Sequence, residues 1–332
     1  MSTSSDDGSG RQLTYAEALR EALYAELKED PAVILMGEDI GSYGGAYRVT
    51  QGFLEEFGPQ RVCDTPISEI AIVGAAIGAA LGGLRPVAEI MYMDFLTISV
   101  EQLVVEAAKM HFMSGGNLRV PMVVRTQYSL GRAHGAQHSQ FFPSWFLQAP
   151  GLKVVLPSTP YDAKGLLKSA IKDENPVLFI ECNLLYRSKG LVPSEGYALP
   201  LGKSQVKRKG NDVTIVAISR LVTEALEAAT RLSSEGIDVE VIDPQTIQPL
   251  DMVPIIESIE KTGRLVIASD DSKSGGLGAA ISSKVMDDGF DYLDAPIINL
   301  ASPDLPIPFS PMLEKAYMVS QDNIVSAARQ LV

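Results

Sequence analysis

Residues 64–86 read DTPISEIAIVGAAIGAALGGLRP and place one carboxylate, Glu69, at the head of an uncharged apolar run. Gly74, Gly78 and Gly82 recur at every fourth position, so on a helix they form one smooth face that permits close approach of another helix. Each glycine costs a helix about 1 kcal/mol relative to alanine. Tight packing on this face would offset that loss, and the partner is either another part of this chain or a second subunit.

Glu69 has two interpretations. Ionised carboxylates are seldom fully buried without a partner. Glu69 follows Ser68, a candidate N-cap, and could simply complement the helix dipole. Alternatively, it lies in a dry interface, where the proton affinity of a carboxylate rises and the group can serve chemistry. The spacing alone does not separate these two interpretations.

The remainder of the chain alternates short β-branched runs with longer amphipathic stretches, which predicts parallel sheets with helices on both faces. The pattern breaks at residues 187–211, a segment rich in Gly, Pro and Lys that reads as a linker. We therefore predict an α/β protein with two doubly wound domains. The predicted strands cover 33–36, 87–91, 122–125, 154–156, 177–181, 213–219, 239–242, 265–268 and 297–300, and the predicted helices include 14–27, 101–113 and 222–233. The predicted boundaries are a flexible tail over 1–12, a first domain over 13–190, a linker over 191–210 and a second domain over 211–332.

The composition limits the class of protein. The chain has 332 residues and a formal net charge of −13, which argues against non-specific nucleic-acid binding. Its two cysteines, Cys63 and Cys182, form no CxxC pair and indicate neither a disulfide framework nor a zinc site. The opening residues MSTSSDDGSG lack the apolar core of a signal peptide, and the uncharged run over 70–84 is shorter than the ~20 residues that span a bilayer. We expect a soluble cytoplasmic protein without membrane contact.

Residues 131–142, GRAHGAQHSQFF, contain two of the three histidines and fit neither a strand nor a helix period. A loop after a strand is a typical place for site residues, and neutral histidine suits proton transfer near pH 7. His134 and His138 are therefore candidate site residues, although either could be an ordinary surface histidine. The glycines disfavour a helix that would carry both as metal ligands. His111 lies in a helix pattern and is interpreted as structural.

Two glycine-rich segments are weaker candidates. Residues 37–52, GEDIGSYGGAYRVTQG, lack the Lys-Ser/Thr ending of a phosphate-binding P-loop, so they form either a flexible loop over a binding site or a subunit contact. Residues 274–281, SGGLGAAI, have Ile281 where a dinucleotide fingerprint wants Gly or Ala. We interpret these glycines as allowing a helix to begin close to a neighbouring backbone.

Several long strings resemble the beta subunits of thiamine diphosphate-dependent 2-oxoacid dehydrogenases. They are DTPISEIAIVGAAIGAALGGLRPVAEIMYMDF, GAQHSQ, PGLKVVLPSTPYDAKGLLKSAIKDENPVLFIE and KTGRLVIASDDSKSGGLGAAI. The resemblance runs from about Leu13 to the C-terminus. It implies a transketolase-like pyrimidine-binding domain followed by a transketolase C-terminal-like domain. It also implies an alpha-2 beta-2 heterotetramer, in which the alpha subunit supplies the GDG…N motif for Mg²⁺ and the diphosphate, because this chain has no such motif.

The resemblance assigns roles to individual residues. Glu69 would bond to N1′ of the thiamine diphosphate pyrimidine, Phe95 would stack on that ring, and Met91 would lie near it. His138 would line the substrate side and could deliver a proton to a sulfur of the lipoyl dithiolane. Some family members also bind a structural K⁺ through the segment that matches Met122, Ala170, Ile171, Asp173 and Asn175.

The activity implied is oxidative decarboxylation of pyruvate with reductive acylation of a lipoyl group on a dihydrolipoamide acyltransferase. Acetoin cleavage and oxidation of branched-chain 2-oxoacids are the enzymatic alternatives, and a non-catalytic assembly subunit is an alternative of another class. Gln148, Gln245 and the SDD at 269–271 depart from the usual family residues. The acidic balance of the chain would suit a basic subunit-binding domain of the acyltransferase.

Overall fold

The computed structural model describes residues 10–332. The tail predicted over 1–12 falls mostly on residues 1–9, outside the described part. Residues 11 and 12 belong to a strand, because β1 (Arg11–Thr14) pairs antiparallel with β8 (Lys189–Val192). No helix within 10–332 is long and apolar enough to cross a membrane.

The first sheet has seven strands and carries the edge on which the candidate site lies. Its strands are β2 (Val33–Gly37), β3 (Val62–Asp64), β4 (Arg85–Ile90), β5 (Val123–Tyr128), β6 (Lys153–Val155), β7 (Val177–Cys182) and β12 (Thr246–Gln248). The order is β12-β6-β7-β5-β4-β2-β3, and every neighbouring pair is parallel except β12 with β6. Every residue of β5 and β7 is buried, as expected for central parallel strands covered on both faces.

Helices cover this sheet: α1 (Tyr15–Glu29), α2 (Phe53–Phe57), α3 (Glu69–Leu81), α4 (Met93–Leu96), α5 (Met110–Met113) and α6 (Pro160–Lys172). Helix α1 begins with a capping box, in which the Thr14 hydroxyl accepts from the Glu17 N–H and the Glu17 carboxylate accepts from the Thr14 N–H. Leu19, Leu23 and Leu27 are spaced four apart and buried, and this stripe directs α1 onto α6.

The single α-helix predicted over 101–113 is wrong. The chain instead forms π-helical turns over Gln102–Ala107, followed by the short α5. The backbone of Gly151, at φ 98°, packs against the Ala108 carbonyl and leaves no space for a side chain. The regular helix is interrupted at this close contact.

The second sheet has five strands: β9 (Gln205–Arg208), β10 (Val213–Ala217), β11 (Val239–Asp243), β13 (Leu265–Ser272) and β14 (Ile298–Ser302). Their order is β14-β13-β10-β11-β9, parallel except for β9 at one edge. The accompanying helices are α7 (Leu221–Ser233), α8 (Val253–Thr262), α9 (Leu277–Asp288), α10 (Pro311–Tyr317) and α11 (Gln321–Leu331). The interpretation of the 274–281 glycines is confirmed, because α9 begins at Leu277 and a Cβ at its N-cap residue Gly276 would clash with the Ser272 carbonyl oxygen.

The two halves of the chain are interlocked. Strand β12 comes from the second half but extends the first sheet beside β6. Strands β8 and β9 lie inside the 187–211 segment that reads as a linker, so this segment is partly ordered as strands. Their mixed composition, KGLV in β8 and QVKR in β9, gives no strand period to detect.

Candidate active site

The predicted site residues follow the strands of the first sheet at one edge. Glu69 follows β3, Met91 follows β4, Phe95 lies on α4 shortly after Met91, and His138 lies in the loop after β5. Carboxyl ends of parallel strands meet at the same edge of a sheet, where ligands of α/β proteins bind. The topology therefore places all four residues along one edge.

Glu69 is the first residue of α3, and its side chain is buried, at 8% exposure. Ser68 is the N-cap residue, but its side chain makes no capping hydrogen bond. Within residues 10–332 the Glu69 carboxylate accepts no hydrogen bond from another side chain or amide. Burial raises the pKa of the nearby Glu38 carboxyl, and the charges of Glu69 and Asp39 add to this rise. Glu69 is thus a buried carboxylate whose oxygens are available to a ligand.

Phe95 and His138 are in contact. Their ring centroids are 5.3 Å apart with the planes at 79°, and the ring of Tyr92 lies 5.1 Å from His138 and 5.3 Å from Phe95. Such edge-to-face packing fixes the orientation of each ring. Tyr92 was not predicted as a site residue, although it lies between Met91 and Phe95 in the sequence.

The backbone at Met91 is held by a chain of polar groups. The Gln127 amide donates to the Met91 carbonyl at 2.9 Å and to the Tyr47 hydroxyl at 3.1 Å, and the Tyr47 hydroxyl donates to that of Tyr92 at 3.1 Å. Tyr47 belongs to the glycine-rich 37–52 segment. That segment therefore reaches the same strand edge as the predicted site.

A buried ion cluster lies beneath this edge. Arg125 donates to both carboxylate oxygens of Glu181, at 2.7 and 3.0 Å, and to Glu89 at 2.7 Å. Tyr186 donates to Glu181 at 2.7 Å. Burial raises the pKa of Glu181, and the Arg125 guanidinium opposes this shift. The cluster ties together β4, β5 and β7, whose carboxyl ends carry the site.

Comparison with known proteins identifies the family. The model of the transketolase pyrimidine-binding domain matches residues 11–189, and that of the transketolase C-terminal domain matches 202–324. The chain is 45% identical to the beta subunit of acetoin:2,6-dichlorophenolindophenol oxidoreductase of Bacillus subtilis (strain 168), over 97% of this chain and 98% of that one. The chain belongs to the beta-subunit family of 2-oxoacid dehydrogenases. The predicted family and the predicted transketolase-like fold are both confirmed.

Relatives that act on different substrates are equally similar to this beta subunit. The 2-oxoisovalerate dehydrogenase subunit beta of B. subtilis (strain 168) is 44% identical, over 96% of this chain and 98% of that one. The pyruvate dehydrogenase E1 component subunit beta of Chaetosphaeridium globosum is 45% identical, over 95% and 97%. A solved structure, described as a split-gene transketolase in an inactive beta4 tetramer, superimposes with a TM-score of 0.80 at 23% identity, over 96% and 98% of the two chains, and shows the fold alone.

The five residues matched to a K⁺ site lie close together in this beta subunit. Arg85 Nη1 donates to the carbonyls of Ile171 and Asp173, both at 3.2 Å, and Lys153 Nζ forms an ion pair with the Asp173 carboxylate. Asn175 donates to Asp173 Oδ1 at 2.9 Å. The Ala170 and Met122 carbonyls accept from the backbone amides of residues 173 and 177. Two side-chain cations already contact this donor set, so it does not fit a further cation.

The other histidines occupy different positions. His134 lies 6.0 Å from Tyr92 between ring centroids, and burial followed by the charges of Arg132 and His138 lowers its pKa. His111 Nδ1 lies 2.8 Å from the Leu118 carbonyl in an exposed turn, which agrees with a structural role. Among residues 10–332, no group of three or more His, Cys, Asp or Glu side chains is arranged to hold a metal ion.

Proposed function

We propose that this beta subunit acts with an alpha subunit as the first component of a pyruvate dehydrogenase complex. Glu69, Met91 and Phe95 would hold the pyrimidine of thiamine diphosphate, and His138 would face the substrate. The alpha subunit would hold Mg²⁺ and the diphosphate. One observation carries the proposal: the Phe95 ring touches His138, 5.3 Å between centroids, on the sheet edge to which buried Glu69 also belongs.

The residues fit the chemistry of this cofactor. Thiamine diphosphate, when bound, supplies a carbon nucleophile and an electron sink for decarboxylation of a 2-oxoacid. A carboxyl group can form a hydrogen bond with the pyrimidine N1′, and the burial of Glu69 would shield such a bond from water. Phe95 offers a flat apolar ring beside it. His138 is the titratable group that could protonate a sulfur of the opened dithiolane.

The glycine face of α3 supports the proposed alpha-2 beta-2 assembly. A Cβ at Gly78 would have no atom within 4 Å, and one at Gly74 would meet only Gln102, at 3.9 Å. Ile67 and Ile70 beside this face are 82% and 51% exposed. This close-packing surface is therefore not covered by any part of the chain within residues 10–332, and we assign it to the alpha subunit.

The remaining assignments are part of the same proposal. The net charge of −13 would suit a basic subunit-binding domain of the acyltransferase. We propose 13–190 as the pyrimidine-binding domain and 211–332 as the C-terminal domain, with the joining segment 191–210 contributing the edge strand β9 to the second sheet. A cytoplasmic location stays a prediction, because relatives include chloroplastic and mitochondrial proteins.

A substrate panel tests the proposal. The chain is co-expressed with its alpha subunit and assayed with thiamine diphosphate, Mg²⁺ and a lipoylated acyltransferase domain, using pyruvate, 2-oxoisovalerate and acetoin in turn. We expect the highest kcat/KM for pyruvate. Highest turnover of acetoin would instead assign an acetoin dehydrogenase. The 45% identity to the acetoin:2,6-dichlorophenolindophenol oxidoreductase subunit of B. subtilis supports this second candidate. A correctly assembled tetramer inactive on all three would indicate an assembly subunit.

A further inference from the structure

The loop over residues 131–140, here called the histidine loop, carries His138 and is held at its start by the second domain. Glu314 of α10 is buried, at 2% exposure. Its Oε1 accepts from the Gly131 N–H at 2.9 Å, and its Oε2 accepts from the Ala133 N–H at 2.7 Å. A buried carboxylate with charge-assisted bonds to two loop amides is a strong anchor.

The loop backbone depends on this anchor. Ala133 has φ 57°, in the left-handed region that a non-glycine residue adopts at a cost of about 1–3 kcal/mol unless its surroundings impose it. The second domain also packs against the loop glycines. A Cβ at Gly135 would lie 3.0 Å from the Phe309 ring, and one at Gly131 would lie 3.0 Å from the Met318 methyl group.

The end of the histidine loop is held by another carboxylate. Asp94 lies on α4, one residue before Phe95, and is 7% exposed. Its Oδ1 accepts from the Gln140 side-chain amide at 2.9 Å and from the Gln140 N–H at 3.3 Å. Its Oδ2 is buried and has no hydrogen-bond partner among residues 10–332. Burial raises the pKa of Asp94, whereas Gln140 and the nearby His138 oppose the shift.

We propose that Glu314 and Asp94 are positioning residues that hold the histidine loop at its two ends and so keep His138 against Phe95. Through Glu314, the second domain takes part in the chemistry at the edge of the first. The geometry of the histidine loop does not depend on the proposed function. Only the consequence for catalysis rests on the proposed function. In reductive acylation, the two electrons left by decarboxylation cleave the dithiolane S–S bond, one sulfur takes the acyl group and the other takes a proton. A displaced His138 would slow that protonation.

Hydrogen–deuterium exchange on the alpha–beta assembly tests the positioning directly. Glu314→Gln leaves one acceptor oxygen for two loop amides and turns an NH₂ group towards the other. We expect the 131–140 amides to exchange at least about tenfold faster, as in a locally opened segment. Glu240→Gln is the matched control: Glu240 is 5% exposed, belongs to the same domain and accepts from Lys261 at 2.7 Å. Unchanged loop exchange in Glu314→Gln would overturn the proposal.

A second readout separates positioning from general damage. Glu314→Gln should lower kcat for lipoyl acylation by about tenfold or more, since small misplacements of a proton donor are costly. The rate of 2,6-dichlorophenolindophenol reduction should change by less than about twofold, because this reaction does not require protonation of a dithiolane sulfur. Equal loss in both assays would contradict the role assigned to His138.

Asp94→Ala is the second variant if Glu314→Gln fails to assemble. We expect faster hydrogen–deuterium exchange of the amides at the Gln140 end of the histidine loop. Unchanged exchange at that end of the loop would contradict the anchoring role of Asp94. A wild-type assembly inactive on all 2-oxoacids would refute the proposed function, while the exchange result would still decide whether the loop is anchored.

Discussion

Arg85 and Lys153 place a guanidinium and an ammonium group against the oxygens that resemble a K⁺ site. The Arg85 bonds to the carbonyls of Ile171 and Asp173 and the Lys153 pair with Asp173 supply positive charge there. Lys153 is 27% exposed and Asp173 is 15% exposed, so water screens the pair only partly. The Lys153 ion pair lowers the pKa of Asp173 against the effect of burial. The protein itself therefore provides the cations at this turn.

Replacing K⁺ by Na⁺ at constant ionic strength should leave the wild-type melting temperature within about 1 °C, because no dehydrated K⁺ contributes binding energy. Differential scanning calorimetry of the alpha–beta assembly measures this. Lys153→Met removes the ammonium group, and this variant should gain stability from K⁺ over Na⁺. A clear K⁺-dependent rise in the wild-type melting temperature would show that the ion binds beside Arg85.

Single residues differ in how far sequence can assign them. Glu69, Phe95 and His138 stand in strings that match a family, so their positions at strand ends were predictable. The partners that orient the histidine loop were not. Glu314 lies 181 residues from Ala133 along the chain, and Asp94 lies 46 residues from Gln140. No local pattern connects residues that only the tertiary fold brings together.

At the scale of elements, α3 presents small residues to solvent at a cost in helix stability. Gly78→Leu adds a bulky side chain at a point where no atom of the described residues lies within 4 Å, so the fold of the beta subunit should be retained. The helix of a partner could no longer approach closely. We expect the fraction of alpha–beta tetramer to fall at least about tenfold, as one lost close contact can produce.

Sedimentation velocity on co-expressed subunits measures this loss, and far-UV circular dichroism of the recovered beta subunit checks its fold. Ala279→Leu on α9 is the matched control, since Ala279 is an exposed small residue on a helix of the second domain. Normal assembly of Gly78→Leu would show that the glycine face does not contact the alpha subunit.

The elements also show where sequence patterns fail. Buried parallel strands such as β5 and β7 were predictable, because each begins with a run of β-branched or apolar residues. The edge strand β9 and the short β12 pair antiparallel and carry polar residues, so they lack that signal. The π-helical turns over Gln102–Ala107 depend on a neighbouring loop, which helix periodicity cannot report.

At the scale of the whole molecule, a buried polar cluster joins the two domains beside β12. Ser158 Oγ lies 3.1 Å from Asp162 Oδ2 and is also within hydrogen-bond distance of Asp243 of the second domain. Lys207 Nζ lies 2.8 Å from Asp162 and 3.5 Å from Asp243. Burial raises the pKa of Asp243 to about 6, the charge of Asp162 adds to this rise, and the Lys207 ammonium opposes it.

This raised pKa predicts a pH effect on stability. Protonated Asp243 favours the folded state, so its stabilising contribution is complete below about pH 4 and is lost as the pH rises to about 6. The free energy of unfolding of Asp243→Asn relative to wild type, obtained from thermal melts, should therefore shift in favour of the variant between pH 4 and 6, by on the order of 1–3 kcal/mol. Ser158→Ala keeps the titrating group and should retain the wild-type trend. Parallel melting curves for Asp243→Asn and wild type would contradict this assignment.

Glu69 carries the central claim, that the whole assembly activates a cofactor through one buried carboxylate of this chain. The direct measurement is pyruvate turnover by the Glu69→Gln tetramer, with sedimentation velocity to verify assembly and Glu38→Gln as the neighbouring carboxylate control. Glutamine cannot share a proton with the pyrimidine in the way a carboxyl group does, so we expect kcat to fall at least about 100-fold while assembly persists and Glu38→Gln keeps most activity. Near-normal turnover by a correctly assembled Glu69→Gln tetramer would contradict the claim.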